Sequence, residues 1–127
     1  MEEILNQRID ELFDDMVRDV RRLVRIGSVL DDSTASEGAP FGREIADALK
    51  CFLSIGQKMG FKTNNYDGYA GYVQMGSFGD QVGILAHMDV VPATGNWVYP
   101  PFSATVADNR IYGRGSVDDK GPAVACL

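Results

Sequence analysis

An apolar run leads into a histidine and an aspartate in the stretch Ile84-Leu85-Ala86-His87-Met88-Asp89-Val90-Val91-Pro92. Its apolar side chains, together with Val82 before them, predict a buried strand over residues 81–87. Because side chains alternate along a strand, His87 and Asp89 are expected on the same side, where the strand gives way to a loop. This arrangement is typical of metal sites, and His87 is the only histidine in the chain. Taken alone, however, a His-x-Asp triplet is more often structural than metal-binding.

The flanking sequence predicts the elements of an α/β fold. Apolar residues three and four apart indicate one helix over residues 2–26 and a second over residues 43–59, with Gly27 and Gly60 as their C-terminal stops. Residues 28–42 have no periodicity and predict a long loop, and a third helix begins near Ala123 with Pro122 in its first turn. Short runs bounded by turn residues predict strands at 61–66, 71–75, 81–87, 104–107 and 110–112.

Composition limits the function classes. The 127 residues are 45% hydrophobic and 24% charged, which is typical of one globular domain. A net charge of −6 argues against a nucleic-acid partner, because binding to phosphates needs clustered Lys and Arg. The N-terminus has no signal-peptide pattern, no apolar run is long enough for a membrane span, and Cys51 and Cys126 lack disulfide spacing. The sequence therefore predicts a cytoplasmic protein with reduced thiols and no membrane partner.

A second cluster strengthens the case for a site. The stretch Gly113-Arg114-Gly115-Ser116-Val117-Asp118-Asp119-Lys120-Gly121-Pro122 places adjacent carboxylates at a predicted strand-to-helix junction. The glycines around them allow the backbone to approach other groups closely. Two acidic clusters at strand ends of an α/β sheet lie where such sheets build their sites.

These two stretches, with Asn96-Trp97 and Pro101-Phe102 between them, resemble the dinuclear zinc peptidase family of aminoacylase, carnosinase, carboxypeptidase G and succinyl-diaminopimelate desuccinylase. The likeness covers the whole chain and is greatest to the bacterial Xaa-His dipeptidase (PepV) branch, including the loop over residues 35–42. It implies the N-terminal part of a three-layer α/β/α zinc-exopeptidase-like catalytic domain, incomplete within residues 1–127. The activity implied is hydrolysis of the amide bond of a dipeptide through two zinc ions and a bridging water, with manganese or cobalt as alternative metals.

Carried over residue by residue, the resemblance implies that His87 binds one zinc ion and that Asp118 bridges both. Asp89 would serve catalysis indirectly, by accepting a hydrogen bond from the ligand imidazole and fixing its tautomer. Family members commonly have a cis peptide between the two aspartates, so the bond between Asp118 and Asp119 is expected to be cis. The aromatic residues Trp97, Tyr99 and Phe102 could line a pocket or simply pack beneath the loop.

The family's general-base glutamate and its remaining ligands follow later in the sequence, and none of the five glutamates here takes their place: Glu2, Glu3, Glu11, Glu37 and Glu44. We therefore expect a fragment that is inactive alone and self-associates through an uncovered sheet edge and apolar surface. Two alternatives remain open. One is another amidohydrolase of the family, such as a desuccinylase or deacylase, and the other is a non-catalytic metal-binding module.

Overall fold

The computed structural model describes residues 1–127 as three α-helices, a short 3-10 helix and four strands. Helix α1 spans Glu2–Val24, α2 spans Arg43–Lys58 and α3 spans Lys120–Ala125. The 3-10 helix covers Asp32–Thr34 in the predicted loop. The strands are β1 (Lys62–Tyr66), β2 (Ala70–Gln74), β3 (Thr105–Ala107) and β4 (Arg110–Tyr112).

The strands form two separate antiparallel hairpins. In one, β1 pairs with β2 from Lys62 opposite Gln74 to Tyr66 opposite Ala70. In the other, Ala107 lies opposite Arg110, so that Asp108 and Asn109 alone make the turn. Both of these turn residues have positive φ, as a two-residue hairpin turn requires. The predicted β3–β4 hairpin is therefore confirmed, whereas the hairpins do not join into one mixed sheet.

The strand predicted over residues 81–87 is wrong. These residues belong to no strand, and their apolar side chains lie in solvent: Val82 is 94% exposed and Leu85 98%. The physical reason is the lack of a partner, because a strand is stabilised by hydrogen bonds to a neighbour and neither hairpin pairs with this segment. After this segment, the chain contacts the core again at Met88 and Val90, which are buried.

The core lies where the end of α1 meets α2 and α3. The three buried apolar residues of α1 are Val20, Leu23 and Val24, all in its last turns. The first half of α1 extends beyond the core, and its large apolar side chains are exposed. The rest of the core cluster comes from α2, from α3 and from two residues outside the helices and strands: Ala48 and Ile55, Ala123 and Val124, and Met88 and Ala104.

The loop between α1 and α2 is ordered by short hydrogen bonds. The Asp31 carboxylate caps the 3-10 helix by accepting from the backbone and the hydroxyl of Ser33, which holds the pKa of Asp31 below its usual value. The Thr34 hydroxyl accepts from the backbone N–H of Arg43 and so caps the start of α2. Gly42 has φ +102°, and a Cβ there would meet the Asp31 carbonyl at 2.7 Å. This loop brings the start of α2 back towards the end of α1.

Candidate metal centre

The structure brings the two motifs of the sequence together. The Nε2 atom of His87 lies 3.0 Å from Oδ1 of Asp118, although 31 residues separate them. The other ring nitrogen, Nδ1, is 3.0 Å from the backbone carbonyl oxygen of Asp89 and 3.4 Å from its carboxylate. The backbone N–H of His87 donates to Oδ2 of Asp119 at 3.3 Å. Asp89 and Asp118 thus contact the imidazole of His87, and Asp119 contacts its backbone N–H.

The segment that carries His87 is fixed by the residues that follow it. Ser28, just after α1, donates its side-chain hydroxyl to the Met88 carbonyl at 2.6 Å, and its backbone carbonyl accepts from the Val90 N–H at 2.9 Å. Ser28 is fully buried, and the Met88 and Val90 side chains pack into the core. His87 therefore projects from an anchored stretch, while its own side chain keeps 48% of its surface exposed.

The segment that carries Asp118 is fixed by the residue after the aspartate pair. Lys120 is fully buried, and its ammonium donates to the carbonyls of Leu23 at 3.0 Å and Ile26 at 2.7 Å, at the end of α1. Burial lowers the pKa of Lys120 to about 8, so the group still carries its charge at neutral pH. The peptide between Asp118 and Asp119 is cis, which confirms that prediction.

Glycines make room for this packing. Gly115 has φ +88°, and a Cβ on it would come within 2.9 Å of Val90 and 3.1 Å of the Lys120 stem. At Gly121 a Cβ would overlap the Ser116 carbonyl oxygen. The close approach expected of the glycines in this motif is therefore confirmed. It leaves room for the buried side chain of Lys120.

The environment of His87 favours the imidazolium in the metal-free protein. Partial burial lowers the pKa of His87, but the Asp89 carbonyl and the Asp118 carboxylate together outweigh it and raise the pKa above the usual value. Both ring nitrogens face oxygen acceptors, and only the doubly protonated ring can donate to both. A metal ion at Nε2 would have to displace the proton there, because a ligating imidazole is neutral.

The geometry of the pair fits two ligands of one metal ion. Ligand atoms about 2.0–2.1 Å from a tetrahedral zinc lie roughly 3.3 Å apart, close to the 3.0 Å between Nε2 and Oδ1. Imidazole and carboxylate are also donors that zinc accepts. No group of three or more His, Cys, Asp or Glu side chains is arranged to hold a metal ion in this chain. His87 and Asp118 are therefore a partial ligand set.

The aromatic residues near the site pack against neighbours. Tyr99 and Tyr112 have ring centroids 4.9 Å apart, and the Arg114 guanidinium lies 5.1 Å from the Trp97 ring centroid. Phe102 sits against Gly27. These contacts indicate that the aromatic residues pack against neighbouring side chains rather than line a pocket. The polar cavity of about 630 Å³ lies elsewhere, between the 33–39 loop, α2 and the β1–β2 turn, and contains neither His87 nor Asp118.

Two contributors to the site were missed by sequence reasoning. Ser28 carries no sequence signal beyond following a helix stop, and its role depends on residues 60 positions away. Lys120 belonged to the quoted motif, but a lysine is expected at the surface. Its burial follows from carbonyls 94 and 97 positions away in sequence, which no local pattern reveals.

Known proteins share the sequence around the candidate site. Residues 83–127 match the sequence profile of Peptidase family M20/M25/M40, and this stretch contains His87, Asp89 and Asp118. The predicted resemblance to this peptidase family is confirmed, and it extends to proteins named as dipeptidases.

Two of these relatives show the extent of the match. The chain is 46% identical over 114 residues to a Bacillus subtilis protein named Putative dipeptidase YtjP, covering 90% of this chain and 25% of the relative. It is 43% identical over 112 residues to the Beta-Ala-Xaa dipeptidase of Lactobacillus delbrueckii subsp. lactis, covering 87% of this chain and 24% of the relative. The chain thus spans about a quarter of the length of the relatives it matches.

None of its helices is both long and apolar enough to cross a membrane.

Proposed function

We propose that this chain is the N-terminal part of the catalytic domain of a metal-dependent dipeptidase. The observation that carries the proposal is the 3.0 Å approach of His87 Nε2 to Asp118 Oδ1, within the stretch that matches the peptidase family. The relatives named as dipeptidases support the reaction class. A three-layer α/β/α domain, a cytoplasmic location and a dipeptide substrate belong to the same proposal.

Each residue of the site has a proposed role. His87 would bind a metal ion through Nε2, and Asp118 would be shared between two ions through its carboxylate. Asp89 orients the imidazole, since its carbonyl and carboxylate oxygens both lie near Nδ1. Asp119 holds the backbone of His87.

Zinc fits the imidazole and carboxylate donors, with manganese or cobalt as alternatives. When bound, such ions polarise the scissile carbonyl and lower the pKa of a water molecule. His87 and Asp118 supply two ligands, so the proposal requires further ligands and a general base from outside residues 1–127. This requirement predicts that residues 1–127 are inactive alone.

Two other functions would use the same residues. A desuccinylase or deacylase of the family would share the metal ligands and differ in the residues that recognise the substrate. A non-catalytic metal-binding module would retain His87 and Asp118 without turnover in any longer form. Activity of the full-length protein on dipeptides, compared with succinylated and acylated amino acids, separates these functions.

The first test is zinc calorimetry of the 127-residue chain beside its Asp118→Asn and His87→Ala variants. We expect binding weaker than micromolar, lost in both variants and accompanied by no dipeptidase turnover, because the ligand set is partial. Asp80→Asn is the matched control, since it removes an exposed carboxylate of the same kind outside the site. Zinc binding that survives both ligand substitutions would contradict the proposed site. Tight binding of two ions with turnover would contradict the partial ligand set.

A further inference from the structure

One short stretch at the end of α1 holds both segments of the candidate site. On the Asp118 side, the carbonyls of Leu23 and Ile26 accept hydrogen bonds from the Lys120 ammonium. On the His87 side, Ser28 bonds to the backbone on both sides of Asp89 through Met88 and Val90. The two segments are far apart in sequence, and residues 23–28, here called the anchor stretch, are bonded to both.

The burial of these contacts is unusual for their residue types. Lys120 and Ser28 are both fully buried, and a lysine in that position must lose its hydration. Its hydrogen-bond partners are two backbone carbonyls at a helix C-terminus, which suit a cation because the helix dipole places partial negative charge there. An apolar side chain of similar volume would fill the same space without the desolvation cost. Packing alone therefore does not account for an ammonium at this position.

The consequence for the site is geometric. Lys120 follows the two aspartates directly, and its backbone N–H also donates to Gly115 at 3.0 Å. With both ends of Lys120 fixed, the backbone that precedes it is held beside His87, where Asp118 contacts the imidazole and Asp119 the backbone N–H. Ser28 restricts the His87 segment in the same way.

We propose that Lys120 and Ser28 are positioning residues, which fix the Asp118 and His87 segments to the anchor stretch and so set the separation of the two metal ligands. The part that concerns metal affinity rests on the proposed function. The part that concerns the position of the imidazole does not, because it describes contacts of the metal-free protein.

The test follows the single histidine by NMR, because its ring signals belong to His87 alone. We compare the 127-residue chain with Lys120→Met, which keeps the length of the stem and removes the ammonium, and with Ser28→Ala. The control is Leu53→Ala, which removes a buried side chain that packs on the β1–β2 hairpin, away from both segments. A core truncation of this kind lowers stability by about 2–5 kcal/mol and so controls for a general loss of stability.

In the metal-free proteins, we expect the His87 ring shifts to move towards random-coil values in Lys120→Met and Ser28→Ala and to stay unchanged in Leu53→Ala. Titration with zinc, followed by the same signals, should show affinity about tenfold to 100-fold lower in Lys120→Met, the loss typical when a group that orients a ligand is removed. Ring shifts and zinc affinity that match the unsubstituted chain in folded Lys120→Met would overturn the proposal.

Two further outcomes are also decisive. If Lys120→Met fails to fold, the Ser28→Ala variant tests the proposal, since it removes one hydroxyl and leaves the backbone intact. Unchanged His87 ring shifts in Ser28→Ala would then overturn the proposal. If the unsubstituted chain binds no zinc, the proposed function loses its support. The ring shifts of the metal-free variants still decide whether Lys120 and Ser28 position the imidazole.

Discussion

The protonation of His87 is expected to make the stability of the folded chain depend on pH. Its raised pKa means that the folded chain binds the proton more tightly than the unfolded chain, whose histidine titrates near 6.5. The resulting stabilisation is fully present below pH 6.5 and is lost as pH rises through the folded pKa. Because the side chain is half-exposed, we expect an effect below about 1 kcal/mol. The free energies of unfolding of the metal-free chain and of His87→Ala, measured with denaturant, should therefore differ most below pH 6.5, and the difference should shrink as pH rises through the folded pKa. A difference that stays constant with pH would contradict the prediction.

The two cysteines should differ in reactivity. Burial raises the pKa of the Cys51 thiol, so a smaller fraction is thiolate at any given pH, while Cys126 is exposed. We expect Cys51, studied in a Cys126→Ser variant, to react with a thiol reagent at pH 8 at least about tenfold more slowly than Cys126 in a Cys51→Ser variant. Its rate should rise towards higher pH. Equal rates in the two variants would show that Cys51 is not protected by the packing of α2.

Among the elements, α2 owes its fit against the β1–β2 hairpin to a glycine. Replacing an exposed helical glycine by alanine is usually worth about 1 kcal/mol in favour of the helix. At Gly56, however, the new Cβ would lie 2.7 and 2.8 Å from the two methyl groups of Val73. We expect Gly56→Ala to destabilise the chain by about 1–3 kcal/mol, the usual cost of overpacking. The double variant Gly56→Ala/Val73→Ala should recover part of that loss in chemical denaturation; a stabilising Gly56→Ala would show that the hairpin moves freely on α2.

Elements specified by nearby residues were predictable, and those specified by distant ones were not. The limits of α2 and of the β3–β4 hairpin follow from local signals, namely Gly60 after the helix and the Asp108-Asn109 turn. The failed strand over residues 81–87 had the right apolar pattern, but strand formation depends on a neighbouring strand. At the site, the sequence motifs identified His87, Asp89 and Asp118. Metal binding by His87 and Asp118 and the orienting role of Asp89 stay predictions. The Lys120 contact could not be foreseen, because it joins residues that are distant in sequence.

At the scale of the whole molecule, two apolar surfaces lack a covering layer. The first is on the N-terminal half of α1, where five large apolar side chains are each at least 47% exposed; the second follows β2, where five more are at least 67% exposed. Exposed apolar surface of this extent marks an interaction site or an aggregation liability. The members of the two surfaces are Ile4, Leu5, Ile9, Leu12 and Phe13, and Met75, Phe78, Val82, Ile84 and Leu85.

We therefore predict that the chain self-associates, with α1 as a main contact. Sedimentation velocity should show a weight-average mass that rises with concentration, because burying apolar side chains such as Ile9 and Phe13 between copies removes them from water. The double variant Ile9→Glu/Phe13→Glu should weaken association at least about tenfold, since two carboxylates would have to lose their hydration in the contact. Arg8→Glu changes the net charge by the same two units on the same exposed helix and should leave the association nearly unchanged. A monodisperse monomer with high thermal stability would instead mean that the chain tolerates these surfaces in water.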